Sequence, residues 1–131
     1  MFAIGNLAVA STGERSSRAL SEASPVIDLV HLARQTDGDQ ALEIELLGMF
    51  DRQSAKLIQR VAMTDLPRRA RGDVAHRLRG SALAIGAGRV SRAAEAVEMA
   101  FETEGFEPNA ELAELADAVA EARSAIAELI G

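Results

Sequence analysis

The 131-residue sequence contains no cysteine, tryptophan or tyrosine, and its four aromatic residues are all phenylalanine. The lack of cysteine excludes disulfide bonds, a thiolate metal site and a cysteine nucleophile, and it fits the reducing cytoplasm in which we expect the protein to act. Few aromatics and three prolines, beside 26 alanines, disfavour a β-sandwich or barrel and favour helices. The formal net charge of −6 argues against nucleic acid or anionic lipid as a general partner.

The sequence also lacks a hydrophobic run of the roughly 18 residues that a membrane-spanning helix needs, so no membrane segment is predicted. Its N-terminal stretch, MFAIGNLAVA, is apolar, but no lysine or arginine precedes it and Gly5 and Asn6 interrupt it, which disfavours a secretory signal. The residues that follow are rich in serine and show little apolar periodicity. We therefore predict a leader over residues 1–24, partly flexible or with a short helical turn, and one folded domain over residues 25–131.

Helical spacing of apolar residues over the folded domain predicts a short first helix and four longer ones. The predicted helices run from a Ser24 cap and Pro25 to about Gln35, from Asp39 to about Met63, from Pro67 to about Ile85, from about Arg89 to Thr103, and from an Asn109 cap to about Ile130. The predicted core residues of the second helix are Leu42, Leu46, Met49 or Phe50, Leu57 and Val61. Short connections favour an all-α fold, an antiparallel four-helix bundle with an additional short N-terminal helix, and we expect a monomer.

The third predicted helix carries one core-facing stripe and one unusual exposed face. Its stripe, with members three or four residues apart, consists of Val74, Leu78, Ala82 and Ile85. His76 lies roughly opposite that stripe and is predicted to face solvent, with Gly72 and Gly80 one turn away on either side. Because each interior glycine costs a helix roughly 1 kcal/mol relative to alanine, this pair predicts the close approach of another surface to the imidazole.

An exposed imidazole with a cleared approach is suited to nucleophilic chemistry. Neutral imidazole is a competent nucleophile near neutral pH, and a neighbouring guanidinium can neutralise phosphoryl oxygens. Arg79 lies one turn from His76 and is placed for that role. These residues predict a phosphoryl group carried on His76, and the alternative on composition and spacing alone is an ordinary surface histidine beside a frayed helix start.

Charge is distributed unevenly along the chain. Residues 68–92 hold seven of the fourteen basic side chains and one acid, whereas residues 95–131 hold ten of the twenty acids and one base. The seven bases are Arg68, Arg69, Arg71, Arg77, Arg79, Arg89 and Arg92. We interpret the acidic stretch as a solvated face and predict a basic surface around His76.

The segment AHRLRGSA at residues 75–82, followed by Ile85-Gly86-Ala87, resembles the signature of histidine-containing phosphotransfer (Hpt) domains. That signature reads A-H-x-L-K-G-[SA], with a Gly-Ala pair a few residues later. The resemblance is specific over residues 75–87 and loose over residues 25–105. It implies a four-helix bundle whose exposed mid-helix histidine, here His76, accepts a phosphoryl group. Arg79 stands where the family usually has lysine, which keeps the charge and changes the geometry of phosphate contact.

The resemblance also implies roles and partners. Arg79 and Ser81 would support the phosphoryl group, and Gly80 would leave room for the partner. Further candidates for partner access and docking are Gly72, Arg69, Arg77 and Leu83. The partners would be receiver domains of response regulators and a hybrid histidine kinase. A receiver domain has an acidic pocket that binds Mg²⁺, and this pocket would face the predicted basic surface.

We expect no cofactor on this chain. It has no glycine-rich phosphate loop of the Walker type, and no kinase domain follows in the sequence, so we expect a free-standing carrier without its own ATP site rather than an enzyme in its own right.

Two other functions remain open beside phosphotransfer. A degenerate relay domain would dock on receivers without accepting phosphate. A metal-binding bundle would use the pairs Asp28-x-x-His31 and Asp73-x-x-His76, whose spacing is that of the Glu-x-x-His pairs of di-iron bundles, although here the acids are aspartates and His76 is predicted to point outward. A hydrolase has little support, because no Ser–His–acid arrangement occurs within local spacing.

Overall fold

The computed structural model describes residues 25–131, so the predicted leader over residues 1–24 lies outside the described residues. Within the described range the chain forms five α-helices and no strand. The helices are α1 (Leu29–Thr36), α2 (Gln40–Val61), α3 (Arg68–Ile85), α4 (Gly88–Ala100) and α5 (Asn109–Ile130). The all-α prediction is confirmed, as are the short first helix and the four longer ones.

The four long helices contact one another in a ring. Helix α2 packs against α3 and α5, helix α4 packs against the same two, and α1 packs against α2 and α3. The ring encloses one core, in which the predicted α3 stripe is buried: Val74, Leu78, Ala82 and Ile85 are all at most 5% exposed. In the part of the chain that the structure describes, no helix is both long and apolar enough to cross a membrane.

Helix α1 begins later than predicted, at Leu29 rather than at Pro25. Asp28 holds the start, because its backbone N–H donates to Gly86 O at 2.9 Å and its carboxylate accepts from His31 N at 3.0 Å. The first bond ties the extended backbone of Asp28 to the end of α3, and the second caps α1. The break predicted at residues 37–39 is confirmed, since Asp37 adopts a left-handed conformation and Asp39 caps α2.

The core face of α2 differs in part from the predicted stripe. Phe50, Leu57 and Val61 are buried as predicted, whereas Leu42 and Met49 are exposed and Leu46 is half-buried. The buried positions of the helix are Leu47, Phe50, Ser54, Leu57 and Val61. At its N-terminal end the core-facing stripe of α2 therefore passes through Leu47 rather than through Leu42 and Leu46.

Two other helix ends were wrongly predicted. Helix α4 ends at Ala100 instead of Thr103, because Arg68 Nη2 donates to the carbonyls of Phe101 at 3.2 Å and Thr103 at 2.8 Å and so satisfies acceptors that a longer helix would bond internally. Asn109 is the first residue of α5 rather than its cap. The cap position belongs to the buried Pro108, which offers no side-chain hydrogen bond.

A buried arginine joins the ends of three helices. Arg71, 2% exposed, donates through Nε to Val61 O at 2.8 Å and through both Nη atoms to the Glu107 carboxylate at 3.2 and 2.9 Å. Its guanidinium also lies over the Phe101 ring, 4.7 Å from the centroid. The hydrogen-bonded guanidinium holds the pKa of the Glu107 carboxyl below its ordinary value. This cluster fixes the α2–α3 connection against the segment between α4 and α5.

Candidate functional site

His76 lies in the middle of α3, on the side opposite the buried stripe. Its side chain is 65% exposed, which confirms the orientation predicted from helical spacing. Helix α3 runs through this position without interruption from Arg68 to Ile85, and it ends where Gly86 takes a left-handed conformation with φ +80. A packed, regular helix therefore presents the imidazole to solvent in a fixed place.

The imidazole is held by a glutamate from the neighbouring helix. His76 Nδ1 lies 2.8 Å from Glu98 Oε2 on α4. Because a carboxylate only accepts hydrogen bonds, this contact places the ring proton on Nδ1. In the neutral imidazole the other nitrogen, Nε2, then carries the free lone pair, and the exposed ring leaves that lone pair accessible to a reactant.

Glu98 also faces the guanidinium of Arg79. Arg79 Nη1 lies 3.6 Å from Glu98 Oε1, which is the distance of an ion pair rather than of a hydrogen bond. That oxygen is buried and has no hydrogen-bond partner among the described residues. One carboxylate therefore serves both the imidazole and the cation, and Arg79 keeps donor groups available for another acceptor.

The packing of the described helices does not require the two glycines beside His76. Among residues 25–131, a methyl group added at Gly80 would meet no atom within 4 Å, and one at Gly72 would make only ordinary contact with Phe101 Cβ at 4.0 Å. Neither glycine has a positive φ. Alanine would fit at both positions and would favour the helix by about 1 kcal/mol each, so the internal packing does not explain these residues.

The other candidates share the His76 face to different degrees. Arg69 and Leu83, seven residues before and after His76, are exposed on its face, and Leu83 is 52% exposed. Arg77 is exposed on the flank. Ser81, five residues on, is half-buried and makes no hydrogen bond with residues 25–131, so the structure does not bring it to the imidazole.

The predicted basic surface is smaller than the sequence count implies. Four of the seven arginines bond to groups of the chain itself: Arg68 to carbonyls after α4, Arg71 to Glu107, Arg79 to Glu98, and Arg89 to Glu114 and Glu121. The hydrogen bonds of Arg68, Arg71 and Arg89 occupy guanidinium donors within the fold, whereas the 3.6 Å contact of Arg79 leaves it donors for another acceptor. Arg69, Arg77 and Arg92 form no ion pair with any described residue.

The two Asp-x-x-His pairs do not form a metal centre in the described structure. Asp28 uses its carboxylate to cap α1, and His76 pairs with Glu98 rather than with Asp73. Between residues 25 and 131, no three His, Cys, Asp or Glu side chains are grouped as metal ligands would be.

Sequence reasoning missed Glu98, which it assigned to a solvated acidic stretch. The available signal was the short α3–α4 connection. Helices joined by two residues pack against each other, so residues at similar distances from the connection meet. His76 lies ten residues before Gly86 and Glu98 eleven after Ala87.

Comparison with known proteins agrees with this geometry. The family model for the Hpt domain matches residues 45–125, which is more than half of the chain and includes the whole of α3 and α4. No match was found among the curated proteins or among the solved structures. Hpt domains are phosphotransfer carriers of two-component phosphorelays and interact with receiver domains and histidine kinases. The chain belongs to the Hpt domain family.

Proposed function

We propose that His76 accepts a phosphoryl group from the aspartyl phosphate of one receiver domain and passes it to the aspartate of another. The observation that carries the proposal is the 2.8 Å contact between His76 Nδ1 and Glu98 Oε2. It assigns the proton to Nδ1 and the nucleophilic lone pair to Nε2, on a side chain that is 65% exposed.

The transfer step balances without a further reactant. The Nε2 lone pair attacks phosphorus, an N–P bond forms, and the bond between phosphorus and the aspartyl oxygen breaks, which returns the receiver carboxylate. The ring becomes positively charged while its proton stays on Nδ1, and the Glu98 carboxylate stabilises that charge at hydrogen-bond distance. The reverse sequence delivers the group to the next receiver.

The surrounding residues have separate roles in this proposal. Arg79 neutralises phosphoryl oxygens with donors that its 3.6 Å contact with Glu98 leaves free. Gly80 and Gly72 let the receiver approach, since packing among the described residues does not account for them. The remaining candidates for phosphate support or docking are Ser81, Arg69, Arg77 and Leu83. Of these, Ser81 is half-buried and is not brought to the imidazole.

The proposal extends to the architecture of the domain. We infer that α2–α5 form an antiparallel bundle within one domain over residues 25–131. Connections of two residues between α3 and α4, six between α2 and α3 and eight between α4 and α5, each between helices in contact, support that arrangement. The carrier would act as a monomer in the cytoplasm, bind no cofactor or nucleotide of its own and depend on Mg²⁺ in the receiver.

The direct test is phosphoryl transfer from a radiolabelled, phosphorylated receiver domain to the full chain. We expect label that is acid-labile and alkali-stable on the wild type and none on His76→Gln. His31→Gln is the matched control, because the chain has two histidines and this variant should label normally. A receiver that binds tightly yet leaves the wild type unlabelled would replace the carrier function with that of a docking module.

A further inference from the structure

The exposed side of α2 carries a stripe of three basic side chains that the proposed transfer chemistry does not use. Arg52, Lys56 and Arg60 are each four residues apart and all exposed. No ion pair joins any of them to another residue in the described range 25–131, and the sequence has no acid between Arg52 and Val61. Like charges at this spacing repel one another and weaken a helix, so the fold itself gains nothing from the stripe.

The stripe lies on α2, the helix next to the one that presents His76. Helices α2 and α3 pack against each other, and Arg71 Nε donates to Val61 O at 2.8 Å near their connection. Lys56 lies five residues before Val61 and His76 five residues after Arg71, so both are about 7.5 Å along their helices from that contact. Lys56 is therefore level with His76. Arg77 extends the basic surface on the flank of α3, and Asp73 is the one acid on that helix.

The other helix that packs against α3, α4, is acidic near His76. Glu98 contacts His76 from α4, and Glu95, three residues earlier on the same side of that helix, is exposed. His76 thus lies between a basic α2 side and an acidic α4 side. A surface with two charge signs orients a partner as well as attracting it.

We propose that the basic stripe Arg52–Lys56–Arg60 is a docking surface for an acidic patch on the partner protein and sets the orientation in which the partner reaches His76. The inference rests on the proposed phosphotransfer function. A protein is the favoured partner because the acidic α4 side and the net charge of −6 would repel the uniform negative charge of nucleic acid or an anionic membrane.

The test compares Lys56→Glu with Arg34→Glu, which makes the same change in charge at an exposed position of α1. Transfer from a phosphorylated receiver and binding of the unphosphorylated receiver are both measured over a range of salt concentrations. At low salt, Lys56→Glu should lose about tenfold in transfer rate and in receiver affinity, and both quantities should depend less on salt than in the wild type. Arg34→Glu should behave as the wild type does. The melting temperature of Lys56→Glu should not fall, because glutamate between two arginines replaces repulsion with attraction.

Phosphorylation by phosphoramidate separates this inference from the proposed function. The small donor has no protein surface, so Lys56→Glu should react as fast as the wild type. Failure of the wild type to accept phosphate from either donor would overturn the proposed function, while the receiver titration would still test the stripe. Equal affinity of Lys56→Glu and Arg34→Glu for the receiver overturns the inference. The inference is also overturned if the wild type binds duplex DNA or phosphatidylserine vesicles and Lys56→Glu does not.

Discussion

At the scale of single residues, the contact between His76 and Glu98 decides which ring nitrogen would accept the phosphoryl group in the proposed transfer. The glutamate accepts from Nδ1 at 2.8 Å and its other oxygen lies 3.6 Å from Arg79. A hydrogen bond to a charged group contributes about 1.5–3 kcal/mol, and in the proposed transfer this bond would stabilise both the Nδ1–H tautomer and the positive charge of the phosphorylated ring.

Glu98→Gln should slow phosphoryl transfer to His76 by about ten- to a hundredfold. The amide loses the negative charge, and its NH₂ group can donate to Nδ1, which favours the tautomer that lacks the Nε2 lone pair. Nitrogen NMR of His76 should show the Nδ1–H tautomer in the wild type and a shift away from it in the variant. Glu95→Gln is the control, and an unchanged tautomer with an unchanged rate in Glu98→Gln would refute the positioning role.

Gly80 makes a second prediction at this scale, in which stability and activity move in opposite directions. Gly80→Ala should raise the free energy of unfolding by about 1 kcal/mol, since a methyl group there meets no atom within 4 Å. The larger Gly80→Gln should also fold stably but slow transfer by at least about tenfold, because it occupies the path of the partner. Denaturant unfolding and transfer assays on both variants measure this. If Gly80→Gln accepts the phosphoryl group at the wild-type rate, the partner does not approach His76 over Gly80.

At the scale of helices, the Arg71 cluster joins the end of α2 and the start of α3 to the segment between α4 and α5. Glu107→Gln should lower the free energy of unfolding by about 1–3 kcal/mol, because the buried guanidinium loses its charged acceptor. Glu104→Gln, in the same loop and exposed, should change it by less than about 0.5 kcal/mol. Urea unfolding of the two variants is the measurement.

The same pair predicts how stability depends on pH. The pKa of Glu107 is lowered in the folded state, so the unfolded chain binds the proton more readily. Its contribution is therefore present above the ordinary carboxyl pKa of about 4.5 and is lost as pH falls through the lower folded value. The difference between wild type and Glu107→Gln should shrink in acid below about pH 4.5. If the difference in free energy of unfolding between wild type and Glu107→Gln stays constant down to the folded-state pKa of Glu107, the Arg71–Glu107 pair is not its source.

Gly86 joins α1 to the end of α3. It has φ +80, and a methyl group there would lie 2.9 Å from the backbone oxygen of Asp28. Gly86→Ala should lower the free energy of unfolding by at least about 2 kcal/mol, because the left-handed backbone disfavours alanine and the methyl group clashes with Asp28. Faster hydrogen exchange in α1 than in the variant's other helices would locate the damage, and uniform exchange would show that α1 does not depend on this contact.

Local sequence signals predicted the helices well where their ends depend on nearby residues. The Asp39 cap and the Gly86 stop act within one turn, so they could be read directly. The errors at Pro25 and Thr103 arose where a distant group takes the backbone, since Gly86 O bonds to Asp28 N and Arg68 bonds to the carbonyls after α4. Those partners are brought together only by packing of helices. At Asn109 the predicted cap was wrong by one residue, because Pro108 takes the cap position.

At the scale of the whole molecule, the charge around His76 could not be predicted from counts along the chain. The sequence indicated that His76 is exposed between two glycines. It did not show that Arg71 is buried against Glu107 or that Glu98 reaches the imidazole, because both contacts cross between helices. The resulting surface, basic on the α2 side and acidic on the α4 side, is a product of the assembled bundle.

The most direct measurement of the central claim is the position of phosphorus in the phosphorylated full chain, determined by ³¹P and ¹⁵N NMR. We expect coupling between phosphorus and Nε2 of His76, with the proton retained on Nδ1 beside Glu98. Phosphorus on Nδ1 of His76, on His31 or on a residue other than histidine would contradict it.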